Sequence, residues 1–272
     1  SLSFAFTDSF WFNAVETEVY AMATLIMATM FYLGLRWQNE MDLPRGNRWL
    51  VLISFVVGLS FGVHFMGLLT IPAIGLLYYF KNYKNISFKN FIIANVVVVA
   101  ILLFVFKLLA PNILRYFSVL EIFFVNSVGL PFNSGSVIAL ILLVTSIFSG
   151  LKFTKRKGFV NLNTALLCVT FIVIGFTTWL MLPIRANANV PVNENNPSSA
   201  RELLAYYNLE QYPKTHLFYG PQFTDQYAGL DEVQPFKDDK PKYEKDLKTG
   251  KYVVVNDYVN AIQNYNSDHG SV

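Results

Sequence analysis

Between Trp49 and Phe80 the chain runs for 32 residues without an Asp, Glu, Lys or Arg. As one helix this stretch would be about 48 Å long at 1.5 Å per residue, against a hydrocarbon core of about 30 Å. It is too long for one membrane crossing and short for two. The rest of the chain is of the same kind: of 272 residues, 54% are hydrophobic and 14% charged, and the mean hydropathy is +0.40. Soluble domains carry about 25% charged residues. Charge is also unevenly placed. Residues 1–183 hold 12 Lys/Arg against 6 Asp/Glu, and residues 184–272 hold 9 against 12. A wholly soluble enzyme, a nucleic-acid binder and a disordered chain are thereby excluded as readings of the whole. The single cysteine, Cys168, lies in an apolar run, which leaves no disulfide framework and no thiolate metal cluster. The chain opens Ser-Leu-Ser without the charged start of a signal peptide, and is expected to be a fragment.

Four further apolar runs are long enough to matter: Val19 to about Leu35, Phe91–Ala110, Val137–Leu151 and Leu162–Pro183. Positive charge decides how Trp49–Phe80 is threaded, because Lys and Arg accumulate on cytoplasmic loops. The basic clusters are Arg36/Arg45/Arg48, Lys81/Lys84/Lys89 and Lys152/Lys155/Arg156/Lys157. A single crossing would put the second cluster opposite the first. Two crossings, with a turn near His64–Gly67, put all three on one side, and the other side then receives segments nearly free of Lys and Arg. The expected fold class is therefore an all-α polytopic membrane protein with about six transmembrane helices. The spans are expected at about 19–35, 49–63, 66–80, 91–110, 137–151 and 162–183. Residues 1–18 form an extracytoplasmic loop, and 184–272 a mixed polar extracytoplasmic segment.

The outer pieces have local signatures. Phe10, Trp11 and Phe12 suit an interfacial aromatic belt, with Thr7 or Asp8 capping a helix that continues into the first span. Within 111–136, ILRYFSVLEIFF reads as an amphipathic segment along the surface, with Glu121 solvated. In the tail, SSARELLAYYN predicts a short helix capped by Ser198. DLKTGKYVVV predicts a turn at Thr249–Gly250 feeding a strand.

Few residues are suited to chemistry. Glu16 and Glu18 stand where the first outer loop enters the membrane, a costly place for charge that usually faces a wet cavity or a partner. Two residues apart on a helix they diverge by about 200°, so both reach one site only if the backbone there is irregular. An interfacial charge pair is the plainer alternative. His64, at the outer turn between Gly62 and Gly67, can donate to a phosphate or sugar hydroxyl, though a structural histidine is the commoner outcome. Arg185 directly follows the last span and can grip a lipid phosphate bidentately or simply anchor the interface. Asn187 and Asn189, with Asn193, Asn195 and Asn196, can hydrogen-bond a sugar or build a tight loop. Lys107 is expected to snorkel. His216 and His269 match no metal-ligand spacing.

Four segments in order, AFTDSFWFNAVETEVYAM, GLSFGVHFMGLLTIPA, NSVGLPFNSG and LPIRANANVPVNENNP, resemble a bacterial family of large multi-pass proteins. That family is grouped with the protein O-mannosyltransferase-like GT-C glycosyltransferases, and the resemblance covers most of residues 1–220. It implies a GT-C-like fold in the bacterial inner membrane. It further implies transfer of a sugar from a polyprenyl-phosphate donor to an extracytoplasmic protein, lipid or glycan acceptor. Residues 1–18 resemble the second outer loop of such enzymes, so their principal base, carried by the first, is expected upstream, and the fragment is expected to be inactive alone. The resemblance assigns Glu16 and Glu18 to support of the acceptor or of a divalent cation, Arg185 to the donor phosphate, and His64 to a basic position between two short helices. The alternative readings are a transporter or lipid-handling protein, or an envelope scaffold, without covalent chemistry.

Overall fold

The computed structural model describes residues 2–16, 19–188, 190–210, 212, 231, 233–238, 241–255 and 261–263. The chain is mostly helical and divides into two units, residues 1–113 with 141–193 and residues 114–140 with 194–272.

In the first unit, two short helices, α1 (Leu2–Ala5) and α2 (Asp8–Val15), precede α3 (Tyr20–Glu40). The charge-free stretch then folds as α4 (Asn47–Ser60), a turn, a 3-10 segment over Phe65–Leu69, and α5 (Thr70–Asn82). At 14 and 13 residues, α4 and α5 are each about 20 Å long. Their directions are opposed. Thr70, Ile74 and Tyr78 meet Met30, Gly34 and Trp37 in ascending order, so α5 runs parallel to α3. Glu40 meets Arg48 and Trp49 at one end of α4, while Ser60 and Ile26 both flank Gly67 at the other, so α4 runs antiparallel to α3. The charge-free stretch therefore reverses direction between α4 and α5.

The helix α6 (Phe88–Leu103) returns beside α5, with Phe91 near Tyr79, Val98 against Gly75 and Phe106 against Phe65. Three further helices, α7 (Ala110–Ile122), α8 (Ser134–Arg156) and α9 (Val160–Phe176), follow. The last of these packs along α4 in the same direction, through Phe55–Phe171 and Phe61–Phe176. The backbones approach so closely that a Cβ on Gly58 would strike the Ile172 carbonyl and one on Gly175 the Phe55 carbonyl. Small residues at a crossing let apolar helices gain dispersion contact where no water is expelled. These directions place all three basic clusters at one end of the unit. There Glu40 ion-pairs with Arg36 and Arg48 at 2.6 and 2.8 Å and accepts from the Trp49 indole at 2.7 Å. The Trp49 and Arg48 hydrogen bonds hold the Glu40 carboxyl below its usual range.

Among the described residues, three helical runs are long and apolar enough by themselves to cross a membrane: Phe88–Ser127, Ser134–Arg156 and Val160–Asn187. The first differs from expectation. Its 40 residues do not stop at Ala110 but continue through π-helical turns at Phe104–Leu109 and Phe123–Ser127, so ILRYFSVLEIFF is the continuation of that helix and not a separate surface segment.

In the second unit, Glu121 is not solvated. It is 2% exposed and accepts from the backbone N–H groups of Asn133 and Ser136 at 2.5 and 2.7 Å, from the Ser136 hydroxyl at 3.0 Å and from the Tyr252 hydroxyl at 3.1 Å. The first two donors belong to the start of α8, where backbone N–H groups lack helical acceptors and favour negative charge. Tyr252 belongs to an antiparallel hairpin of β2 (Lys242–Asp246) and β3 (Lys251–Val255), after β1 (Phe236–Asp238), which pairs with β4 (Ala261–Gln263). Gly250, at φ 68°, supplies the left-handed residue of the β2–β3 turn. The side-chain amide of Asn126 bonds both the N–H and the C=O of Tyr252, at 2.8 and 2.7 Å. The tail helix, α11 (Ala200–Tyr207), follows α10 (Met181–Asn187) in chain order. It starts one residue later than predicted: Ser199, not Ser198, is the N-cap, in a capping box with Glu202.

Candidate functional site

The end of the first unit opposite the basic clusters gathers most of the residues singled out by chemistry. It is built by two interruptions. The first is the break between α2 and α3. Thr7 is extended but spends its hydroxyl on the Phe4 carbonyl, so it does not cap α2 by its side chain. The helix ends at Val15, and Glu16 has an extended backbone (φ −72°, ψ 154°). The helix does not continue into α3 as its cap residues predict. Glu16 is exposed, whereas Glu18 lies outside the described residues, as do Asn189, His216 and His269.

The second interruption follows α4. His64 is extended and caps the 3-10 segment, its Nδ1 accepting from the Met66 N–H at 3.1 Å. Its ring lies 5.8 Å from that of Tyr20, the first residue of α3. The end of α9 closes on the same turn. The Trp179 indole donates to the Phe61 carbonyl at 2.7 Å, satisfying a C-terminal acceptor of α4, and Thr178 lies against Gly62. From there α10 carries Arg185, exposed and without an ion pair among the described residues. Asn187 uses its amide on the Pro183 carbonyl at 2.7 Å. Asn193 donates to the Ala186 carbonyl at 3.3 Å. Asn195 and Asn196 take left-handed backbone conformations, which suits the tight-loop use of these residues.

A cavity of ≈ 340 Å³ opens at this end, lined by Phe4, Thr7, Ser9, Phe10, Tyr20 and Thr24. Tyr20 thus joins the cavity to His64. Sequence reasoning passed over it, although an aromatic residue just beyond an acidic break was a usable signal. Glu16, His64 and Arg185 make no hydrogen bond or ion pair with one another, so the structure brings them to one end of the unit without joining them. Asp8 and Glu16 are the carboxylates that the described residues of this unit place there. No group of three or more His, Cys, Asp or Glu among the described residues could hold a metal ion. The donor set for a resident divalent cation is not assembled among them.

Residues 1–87 match the family described as the protein O-mannosyl-transferase TMEM260 N-terminal domain. The matched segment holds the α2–α3 break, His64 and the helices α3 to α5. Residues 213–272 match a family of unknown function, DUF8416. No curated protein and no solved structure matched the chain. The chain is thus a membrane protein with an O-mannosyltransferase-like relationship in its first third.

Proposed function

We propose that the protein is a GT-C-type membrane glycosyltransferase that moves a hexose from a polyprenyl-phosphate donor to an extracytoplasmic acceptor. One observation carries this reading. The segment similar to a protein O-mannosyltransferase domain contributes an acidic helix break and a histidine turn to the same end at which the last apolar helix delivers an exposed arginine. In the accompanying topology six helical segments cross the bilayer, the basic end faces the cytoplasm, and the cavity end faces outward. The membrane is the inner membrane of a bacterium.

In the reaction, an acceptor hydroxyl attacks the anomeric carbon, a new C–O bond forms there, and the bond from that carbon to the phosphate oxygen breaks. The hydroxyl proton passes to a carboxylate. Glu16, on extended backbone at the end of α2, orients the acceptor. Arg185 offsets the charge that grows on the departing lipid phosphate, an interaction worth most where water is excluded. His64, with Nδ1 already accepting from Met66, is left with Nε2 as the group that meets substrate.

The test is thermal-shift binding of a polyprenyl phosphate to the detergent-solubilised protein as wild type, Arg185→Ala and Glu16→Ala. Stabilisation of the wild type that is lost in Arg185→Ala and kept in Glu16→Ala is the expected outcome. A wild type that is not stabilised overturns the reading.

A further inference from the structure

Lys107 is the one residue of the apolar stretch Phe91–Ala110 that carries a full charge, and its position has a consequence that snorkelling does not cover. Because α6 runs antiparallel to α5, the contact of Phe106 with Phe65, at 5.1 Å between ring centroids, sets Lys107 level with His64. A ring series continues from there, Phe65 to Phe61 at 5.7 Å, Phe61 to Phe176 at 5.3 Å and Phe176 to Trp179 at 5.5 Å, ending at the helix that carries Arg185. Lys107 sits inside the π-helical turn Phe104–Leu109. Such turns insert a residue into a helix and recur at functional sites. Its ammonium lies 4.9 Å over the Phe106 ring, is exposed, and makes no ion pair among the described residues. Beside it the surface is apolar and open: Phe65 is 41% exposed, Leu69 62%, Phe104 44% and Leu108 53%.

From this juxtaposition we infer that Lys107 binds the phosphate of a lipid whose hydrocarbon chain lies along Phe65, Leu69, Phe104 and Leu108. A cation flanked by an open apolar strip complements a molecule with one anionic head and a long tail. An ammonium without an ion pair among the described residues keeps its attraction for that head. The inference rests on the proposed transferase reading, in which the lipid is the sugar donor. The same chemistry would also suit the phosphate of an ordinary anionic phospholipid.

The experiment uses the whole protein in phosphatidylcholine nanodiscs and measures binding of a polyprenyl phosphate for wild type, Lys107→Met, Lys107→Arg and Arg185→Ala, with phosphatidylglycerol as competitor. One lost charge-assisted contact weakens binding about tenfold, so Lys107→Met is expected to bind about tenfold more weakly and Lys107→Arg within about threefold of wild type. Phosphatidylglycerol at equal mole fraction is expected not to compete. If it competes equally, Lys107 holds a phosphate but the donor reading falls. If Lys107→Met binds as wild type while Arg185→Ala does not, the Lys107 inference is overturned and the transferase reading stands. If the wild type does not bind, both fall.

Discussion

Replacing Tyr252 by phenylalanine removes one hydroxyl from a side chain that is 4% exposed and leaves its ring packing against Phe132 intact. What is lost is the 3.1 Å hydrogen bond to Glu121. A hydrogen bond to a charged group contributes about 1.5–3 kcal/mol net. Glu121 keeps three donors, from Asn133 and Ser136, so it is not left as a bare buried charge, and the cost lies near the lower end, about 2 kcal/mol. That cost falls on the attachment of the β2–β3 hairpin to the segment 114–140. Amide hydrogen exchange of residues 251–255 in the full chain reads it directly, since 2 kcal/mol corresponds to about thirtyfold faster exchange through local opening. Replacing Asn126 by alanine should cost at least as much, because it strands both the N–H and the C=O of Tyr252. The two changes should add to less than their sum, as they act on one docked element. Exchange altered by less than about threefold in both variants would show that this node does not hold the hairpin, and the reasoning from burial and hydrogen bonding would be refuted.

Two further outcomes follow from the structure. Burial, then the neighbouring Glu121 charge, pushes the Tyr252 phenol well above its ordinary value, and burial raises that of Tyr207 to about 12. Both folded-state values are raised, so their contribution is complete below the unfolded phenol pKa of about 10 and is lost as pH rises through the folded values. Exchange of residues 251–255 should therefore be steady from neutral pH to about 10, once corrected for intrinsic rates, and then accelerate, with a smaller acceleration in Tyr252→Phe. A Tyr252→Phe profile identical to wild type would remove Tyr252 as the cause. In the first unit, leucine at Gly58 has no room against the α9 backbone. Overpacking of this kind costs about 1–3 kcal/mol, so Gly58→Leu should lower the melting temperature in detergent, and an unchanged melting temperature would contradict the close α4–α9 approach.

How far the chain could be read before it was folded depended on how local the deciding forces are. The reversal within Trp49–Phe80 was legible because it follows from charge positions along the chain. The α2–α3 irregularity was anticipated only as a condition on Glu16 and Glu18. The turn at Thr249–Gly250 was legible because Gly250 must adopt a left-handed conformation there. The tail helix was legible to within one residue, and the capping box chose between two adjacent serines. The burial of Glu121 was not legible. Its sequence neighbourhood is that of an exposed face, and the groups that desolvate and satisfy it lie 12, 15 and 131 positions away.

By itself the sequence determined that this is a membrane protein, where most of its apolar helices begin, and which residue types stand there. Those properties come from hydropathy, charge and backbone preference acting over a few turns. Only the tertiary structure decided which of those ends meet. The approach of His64 to Tyr20, the closure of Trp179 on Phe61 and the level of Lys107 beside His64 arise from helix direction and side-chain packing between segments far apart in sequence. No local pattern encodes such contacts, because each depends on the shape of both surfaces at once.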